Sequence, residues 1–174
     1  ISDVTLSGVD VHGYAQVGAL AGVVASASTI RNVHVEGTVT GTSKRIGGIA
    51  GTVTSGSTLM ESTMRGTVEA SSCGEYEVAL GGLIGRVDQS IIQASASYAD
   101  VTSSKTGTYC RDVGGAIGFA DGSELTDLHA TGSVVGNERV GGLVGQAAFD
   151  TSVTALRPRG PWRARGTSLD SPVC

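Results

Sequence analysis

The stretch Val140-Gly141-Gly142-Leu143-Val144-Gly145 is the last of five similar hexamers in the chain. The first residues of successive hexamers lie 29, 34, 33 and 27 positions apart. A period of this length is typical of a solenoid, in which each repeat supplies one structural unit. The four earlier copies are residues 17–22 (Val-Gly-Ala-Leu-Ala-Gly), 46–51 (Ile-Gly-Gly-Ile-Ala-Gly), 80–85 (Leu-Gly-Gly-Leu-Ile-Gly) and 113–118 (Val-Gly-Gly-Ala-Ile-Gly).

The composition excludes a core built on large aromatic side chains. Among 174 residues there are 27 Gly, but only two Phe, one Trp and four Tyr. Small β-branched residues can instead stack in thin layers, because glycine lets neighbouring backbones approach. Charged residues make up 16% and the net charge is −4, so no basic face for nucleic acid is expected. No apolar run is long enough to span a bilayer.

Alignment on the hexamers divides the chain into five units: 1–29, 30–58, 59–90, 91–124 and 125–152. Each unit opens with an aliphatic residue and continues with an alternating strand. The glycines Gly8, Gly37, Gly66 and Gly132 fall into one column of this strand. The fourth unit is ambiguous: either Tyr98 occupies the glycine column, or two residues are missing after Ala99.

These patterns predict an all-β fold, a parallel β-helix or β-solenoid of about five rungs with about two strands per unit. Glycine recurs too often for a helical period to hold. Parallel strands stack about 4.8 Å apart, so five rungs give roughly 24 Å of solenoid. The handedness stays open.

The hexamer glycines are predicted to be structural, since neither a phosphate-loop context nor a dinucleotide-binding context surrounds them. They are Gly47, Gly48, Gly51, Gly81, Gly82, Gly85, Gly114, Gly115, Gly118, Gly141, Gly142 and Gly145.

The apolar positions of the hexamer allow two interpretations. The first and fifth positions share one face of a straight strand, whereas the apolar fourth position takes the other. Either the glycine pair bends the strand so that both sets reach the core, or an exposed stripe offers an interaction surface. The stripe would comprise Val17, Ile46, Leu80, Val113, Val140, Ala21, Ala50, Ile84, Ile117 and Val144.

Residues 153–174 differ from the repeats and contain all three prolines and the only tryptophan. This Pro/Arg-rich tail is expected to be disordered, to cap the last rung, or to dock on a partner. Its docking residues would be Arg157, Arg159, Trp162, Arg163 and Arg165.

Two of the three cysteines, Cys73 and Cys110, lie in the long connectors of neighbouring units. Stacked loops would bring them within disulfide range, which predicts a Cys73–Cys110 bridge and an oxidising compartment. Cys174 has no predicted partner.

The repeats resemble GLUG repeats, whose Gly-Leu-x-Gly core here reads Gly142-Leu143-Val144-Gly145 and Gly82-Leu83-Ile84-Gly85. The preceding Ala130-Thr131-Gly132-Ser133-Val134 resembles the strand that often precedes that core. The resemblance covers residues 1 to about 152. It implies a secreted or surface-anchored protein, as in adhesin-like proteins and the non-catalytic region of IgA-cleaving metallopeptidases, and it brings no catalytic residue.

We therefore expect an extracellular or cell-surface module that is not an enzyme and has no cofactor, acting as a spacer or protein-interaction surface. No catalytic or metal-binding residues are predicted, because His12, His34 and His129 are isolated from one another. Alternatives are the accessory region of a secreted metallopeptidase, and a filament subunit that contacts copies of itself. Ice binding is less favoured, because the outward column reads Thr5, His34, Thr63, Ser95 and His129 rather than a threonine ladder.

Overall fold

A computed structural model of the chain describes residues 1–72, 78–103 and 111–154. All regular structure in these residues is β-strand, and every strand pair is parallel. The strands form a β-solenoid of about five turns. The predicted fold class is confirmed.

The largest face of the solenoid is an eight-stranded sheet, which we call the large sheet. It consists of β1 (Ser2–Gly13), β3 (Thr29–Gly41), β6 (Thr58–Met60), β7 (Thr63–Ala70), β10 (Ile91–Ser103), β13 (Glu124–Ala130), β14 (Val134–Val135) and β17 (Ser152–Thr154).

Two smaller sheets complete each turn, so a unit contributes three faces rather than the two strands expected from sequence. The second sheet contains β4 (Arg45–Gly47), β8 (Ala79–Gly81), β11 (Val113–Gly114) and β15 (Val140–Gly141). The third sheet contains β2 (Ala21–Val24), β5 (Ala50–Val53), β9 (Ile84–Asp88), β12 (Ile117–Asp121) and β16 (Val144–Ala148). The hexamer is therefore split between two sheets.

The core is a set of aliphatic columns that run through the stack. In the middle rungs these side chains are shielded from solvent on every side, as Ile46, Leu80 and Ile117 show with 0% exposure. In the first and last rungs other apolar residues that pack against the core, such as Leu6 and Leu143, are only partly buried. The difference arises because a terminal rung has a neighbour on one side only.

A left-handed residue lies near the start of each long strand. Asn32, with φ of 53°, separates two buried residues, Ile30 and Val33. Strict alternation would place residues three apart on opposite faces, so this conformation is what brings both side chains into the core. The column consists of Asp3, Asn32, Glu61, Ala94 and Asp127.

The fourth unit starts one residue later than its sequence boundary suggested. Ile92, not Ile91, pairs with Leu59 and Leu125, and it is fully buried whereas Ile91 is 37% exposed. Adjacent aliphatic residues made the register undecidable from periodicity alone. Ala99, not Tyr98, occupies the glycine column opposite Gly66, and no residues are missing after it.

Gly8 does not belong to the glycine column. The register of β1 against β3 shifts between Leu6 and Val9, so Val9 pairs with Gly37. Gly8 lies within this irregularity at φ +66°, a conformation that glycine adopts without steric cost.

The solenoid extends slightly past its predicted end. Residues 152–154 form β17, which pairs in parallel with β13 and places Val153 beside Leu125. Val153 thus occupies the position at which the other units begin. Strand pairing therefore continues to residue 154, so the start of a sixth rung precedes the Pro/Arg-rich segment. None of the described residues forms a helix long and apolar enough to cross a membrane.

Candidate interaction surfaces

The hexamer bends between the second and third sheets. In the second repeat, Gly48 and Ile49 form the bend between β4 and β5, and the apolar residues on both sides of it reach the core. Ile46, Ile49 and Ala50 are each 0% exposed. The prediction of an exposed stripe is therefore wrong for the middle rungs, because the bend buries the first, fourth and fifth positions of the hexamer together. Of the stripe residues only Val140, in the last rung, is exposed, at 45%.

The hexamer glycines lie where backbones come too close for a side chain. A Cβ at Gly82 would lie 2.2 Å from the Gly115 carbonyl oxygen of the next rung. A Cβ at Gly85 would lie 2.5 Å from the Ile46 nitrogen of the preceding rung. Gly142 differs, with no atom within 4 Å, because no rung follows on that side in the described residues. Most of the column is thus required by stacking between rungs.

Two ladders of hydroxyl groups run parallel to the solenoid axis, and the sequence analysis missed both. At the turn after the third sheet, the Ser90 amide donates to the Ser123 hydroxyl at 3.3 Å, and the Ser123 hydroxyl donates to the Asp121 carbonyl at 2.7 Å. Serine at the same place in successive units was the available signal. The same amide-to-hydroxyl bond runs from Ser28 to Ser57 and from Ser123 to Thr151, and the column of these residues, Ser28, Ser57, Ser90, Ser123 and Thr151, is the first ladder.

A cleft runs along the outside of the solenoid between the second and third sheets. One wall carries the residue directly before each hexamer, and the other carries the residue directly after it. Its volume is about 310 Å³. The cleft is lined by Gln16, Lys44, Arg45, Ala79, Arg86, Asp112 and Phe119.

Arg86 is held firmly in one wall of the cleft. Its Nε lies 2.8 Å from both carboxylate oxygens of Asp88, and its guanidinium lies 4.5 Å from the centre of the Phe119 ring. Hydrogen bonding to Asp88 raises the pKa of Arg86, although its partial burial opposes that effect. The negative charge of Asp112 is compensated by Arg139, whose Nε lies 2.7 Å from Asp112 Oδ1.

Arg45 has a different environment. It is partly buried, and no ion pair or hydrogen bond of its side chain is found in the described part of the chain. Burial lowers the pKa of the Arg45 guanidinium, the charge of Arg86 lowers it further, and Asp88 acts in the opposite direction. Arg45 and Arg86 therefore lie in one cleft with the Asp88 carboxylate, whose charge acts on both guanidinium groups.

The outer face of the large sheet carries a second group of polar and aromatic residues. The Arg65 guanidinium lies 4.1 Å from the centre of the Tyr98 ring, and this ring lies 6.3 Å from that of His129. His34 contacts the Thr63 hydroxyl at 2.8 Å and the Asn32 amide oxygen at 3.0 Å. These contacts hold the side chains in an ordered array on a continuous sheet. We call His34, Glu36, Thr63, Arg65, Tyr98 and His129 the outer patch.

The outward column that bears on ice binding differs from the predicted column at one residue, in the fourth unit. Ala96, not Ser95, pairs with Thr63 and His129, whereas Ser95 faces inward and is 2% exposed. With alanine and two histidines in this column, a regular threonine ladder is missing from this face of the described residues.

Several predicted residues lie outside the described parts of the chain. These are Cys73, Cys110 and Cys174, together with the tail residues Arg157, Arg159, Trp162, Arg163 and Arg165. In the parts that are described, no three His, Cys, Asp or Glu side chains lie together as a metal site would require. The three histidines are not brought together.

Geometry thus defines the class as a parallel β-solenoid with a filled core and two polar surfaces. A comparison of the chain with protein-family models, curated proteins and solved structures found no significant match. The resemblance to GLUG repeats therefore stays a prediction from the motifs.

Proposed function

We propose that the chain is a non-catalytic, extracellular module that acts as a rigid spacer and binds protein partners through the outer patch. The observation that carries the proposal is the continuity of the large sheet, in which β1, β3, β7, β10 and β13 pair successively along the stack. Stacked rungs of this kind make length proportional to the number of repeats. The GLUG resemblance supports the extracellular location.

The outer patch has the composition of a protein-binding surface. Tyrosine and arginine are enriched among the residues that dominate binding energy, and here Arg65 packs on Tyr98. Tyr98 is 37% exposed, and Arg65 and His129 are also exposed. Ordered side chains lose little entropy when a partner binds, which favours affinity.

Location can be tested with an antibody against the solenoid, applied to intact and to permeabilised cells of the source organism. The proposal expects labelling of intact cells or of material that they release. Labelling only after permeabilisation would contradict an extracellular role.

Binding can be tested with the immobilised protein and surface material from the same source. We expect the double variant R65A/Y98A to bind at least about tenfold more weakly. Val23→Ser is the matched control, since Val23 is exposed on the third sheet, away from the outer patch. Equal binding by R65A/Y98A and the unmodified protein would argue against the outer patch.

A filament subunit is a second candidate, supported by the free edge of β1. In the described residues β1 pairs only with β3, so its other edge presents unpaired backbone groups. Such an edge accepts a further parallel strand, from a second copy or from the same polypeptide. Sedimentation velocity should show concentration-dependent growth that Thr5→Lys suppresses. A monomer at every concentration would exclude this candidate.

A further inference from the structure

The last turn of the large sheet is covered over only part of its length. β17 pairs with the first three residues of β13, and Leu125, which lies beside Val153, is fully buried. Further along the same turn, Leu128 and Val134 are only partly buried. Val101, which pairs with Val134 from the preceding turn, is 0% exposed. The uncovered part of the edge is therefore apolar and has the length of the rest of a strand.

The register at this edge extends naturally beyond β17. Ser152 pairs with Glu124, an offset of 28 residues. Between β3 and β14, the offset set at the start of each turn holds along the whole large sheet: 29 residues from β3 to β6 and β7, and 33 residues at each of the next two steps. Continued at 28, the register places Leu156 beside Leu128, Gly160 beside Gly132 and Trp162 beside Val134.

The sequence beyond β17 fits this register. Its apolar residues fall on the inward positions and its arginines on the outward ones, as expected for a strand with one buried face. Gly160 falls in the glycine column, where a Cβ at Gly132 would lie 2.4 Å from the Ala99 carbonyl oxygen. The inward residues are Leu156, Pro158, Gly160 and Trp162, and the outward arginines are Arg157, Arg159 and Arg163.

Pro161 falls where the sheet does not use a backbone N–H. Its register partner is Ser133, whose amide donates to the Asp100 carboxylate at 2.8 Å rather than to the backbone of the preceding strand. A proline in this column therefore costs no hydrogen bond between strands.

Pro158 falls where the N–H would point away from the solenoid. Its register partner is Ala130, and the next residue, Thr131, donates its amide back to the Ser97 carbonyl oxygen at 2.9 Å. Successive amides of a strand point to opposite sides, so the amide in the Ala130 column points towards the open edge. Proline is tolerated on such an edge and prevents the addition of another strand.

Charge favours the same arrangement. Residues 124–152 carry four carboxylate side chains and one arginine, a net charge of −3. Residues 155–174 carry four arginines and one aspartate, a net charge of +3. Opposite charges on adjoining segments favour their association.

We propose that residues 155–163 form a sixth strand of the large sheet against β13 and β14, and that this strand caps the core. Trp162 packs over Val134 as its main apolar anchor, and Pro158 leaves an edge that accepts no further strand. The cap is independent of the proposed function, because it requires neither the outer patch nor an extracellular location. It closes one of the two ends through which a filament could grow.

The fluorescence of Trp162 tests the proposal, because this is the only tryptophan in the chain. We expect acrylamide to quench the folded protein severalfold less than the urea-unfolded protein, with emission shifted to the blue. Equal quenching in the two states would overturn the cap and leave the segment available to a partner. Shielding that is lost on dilution would overturn its assignment to the same chain, since a second copy would then provide the strand.

Two neighbouring residues of β14 test the register. Val134→Asp places a carboxylate under the indole and should make quenching severalfold stronger, because an unpaired buried charge is costly. Val135→Asp is the matched control, since Val135 is 39% exposed on the outward side and should leave Trp162 shielded. Thermal unfolding shows whether both variants are folded. Leu156→Asp provides the same test from within the cap, without altering any residue of the described solenoid. Trp162 that stays shielded in a folded V134D protein or in L156D, or that becomes equally exposed in V135D, would overturn the proposal.

Discussion

The Ser95 hydroxyl accepts a hydrogen bond of 3.1 Å from the Ser62 amide of the preceding rung. The same hydroxyl donates to the carbonyl oxygen of Gln93 at 2.8 Å, so it connects two rungs. The Ser62 hydroxyl repeats the arrangement with the Val33 amide at 3.1 Å. This second ladder satisfies backbone groups at a corner where the regular pairing between strands is interrupted.

Replacing Ser95 with alanine should destabilise the solenoid. The substitution leaves the buried Ser62 amide without its acceptor, and an unsatisfied buried donor costs about 1–3 kcal/mol. Chemical denaturation would measure the free energy of unfolding. Ser133→Ala is the control, since Ser133 is exposed and should change stability by less than about 0.5 kcal/mol. Equal losses in the two variants would count against the ladder.

The pKa of Asp3 should lie below its ordinary value, and this lowering should depend on Asn32. The Asn32 amide donates to Asp3 Oδ1 at 2.7 Å, and this bond is the largest cause that lowers the Asp3 pKa from 3.8, followed by Ser2. Because the Asp3 pKa is lower in the folded state, the ionised Asp3 carboxylate stabilises the fold above the unfolded-state pKa of about 3.9. This stabilisation is lost as the pH falls through the folded-state pKa.

Asn32→Ala should therefore raise the Asp3 pKa, as measured by NMR titration of the Asp3 carboxyl carbon. Thr126→Ala, at the far end of the large sheet, should leave this pKa unchanged. An Asp3 pKa that stays the same or falls in N32A would refute the role of the amide.

The Cys73–Cys110 bridge stays a prediction, and the register of the flanking strands favours it. Ala70 pairs with Ser103, and Leu80 pairs with Val113, so the two connectors begin and end on neighbouring rungs. Peptide mapping without reduction should recover the linked cysteine peptides. Recovery of both as free thiols from protein purified under oxidising conditions would be incompatible with the bridge.

The hexamer explains how much of the fold was predictable. Five copies of one pattern specify a stack of similar units, because each glycine that must accept a neighbouring backbone is needed again in the next rung. The direction of the bend was not predictable from one strand. Whether Ile46 and Ile49 both reach the core depends on where the chain turns between them. The residues of the hexamer are equally compatible with a straight strand, in which the two side chains would point to opposite faces.

Strand register was the other feature that could not be predicted from the sequence, as the fourth unit illustrates. Ile91 and Ile92 are equally apolar, and only pairing with Leu59 shows that Ile92 is the buried one. The cleft was also not predictable from sequence. Arg45 and Arg86 lie 41 positions apart and come together only because successive rungs stack on two adjoining sheets.

The central claim is that the hexamer glycines allow rungs to stack. The third position of the hexamer offers both a glycine that contacts the next rung and a glycine that does not. A Cβ at Gly82 would lie 2.1 Å from Ser97 Oγ and 2.2 Å from the Gly115 oxygen, whereas a Cβ at Gly142 would meet nothing within 4 Å. The two glycines occupy the same position in the bend of the hexamer, so the intrinsic backbone effect of replacing glycine with alanine is the same at both.

The most direct test is to measure the free energies of unfolding of Gly82→Ala and Gly142→Ala by denaturant titration. We predict that Gly82→Ala loses at least about 1–3 kcal/mol through overpacking against the neighbouring rung. Gly142→Ala should change stability by less than about 0.5 kcal/mol. Similar stabilities of the two variants would contradict the account of the hexamer as the element that lets rungs stack.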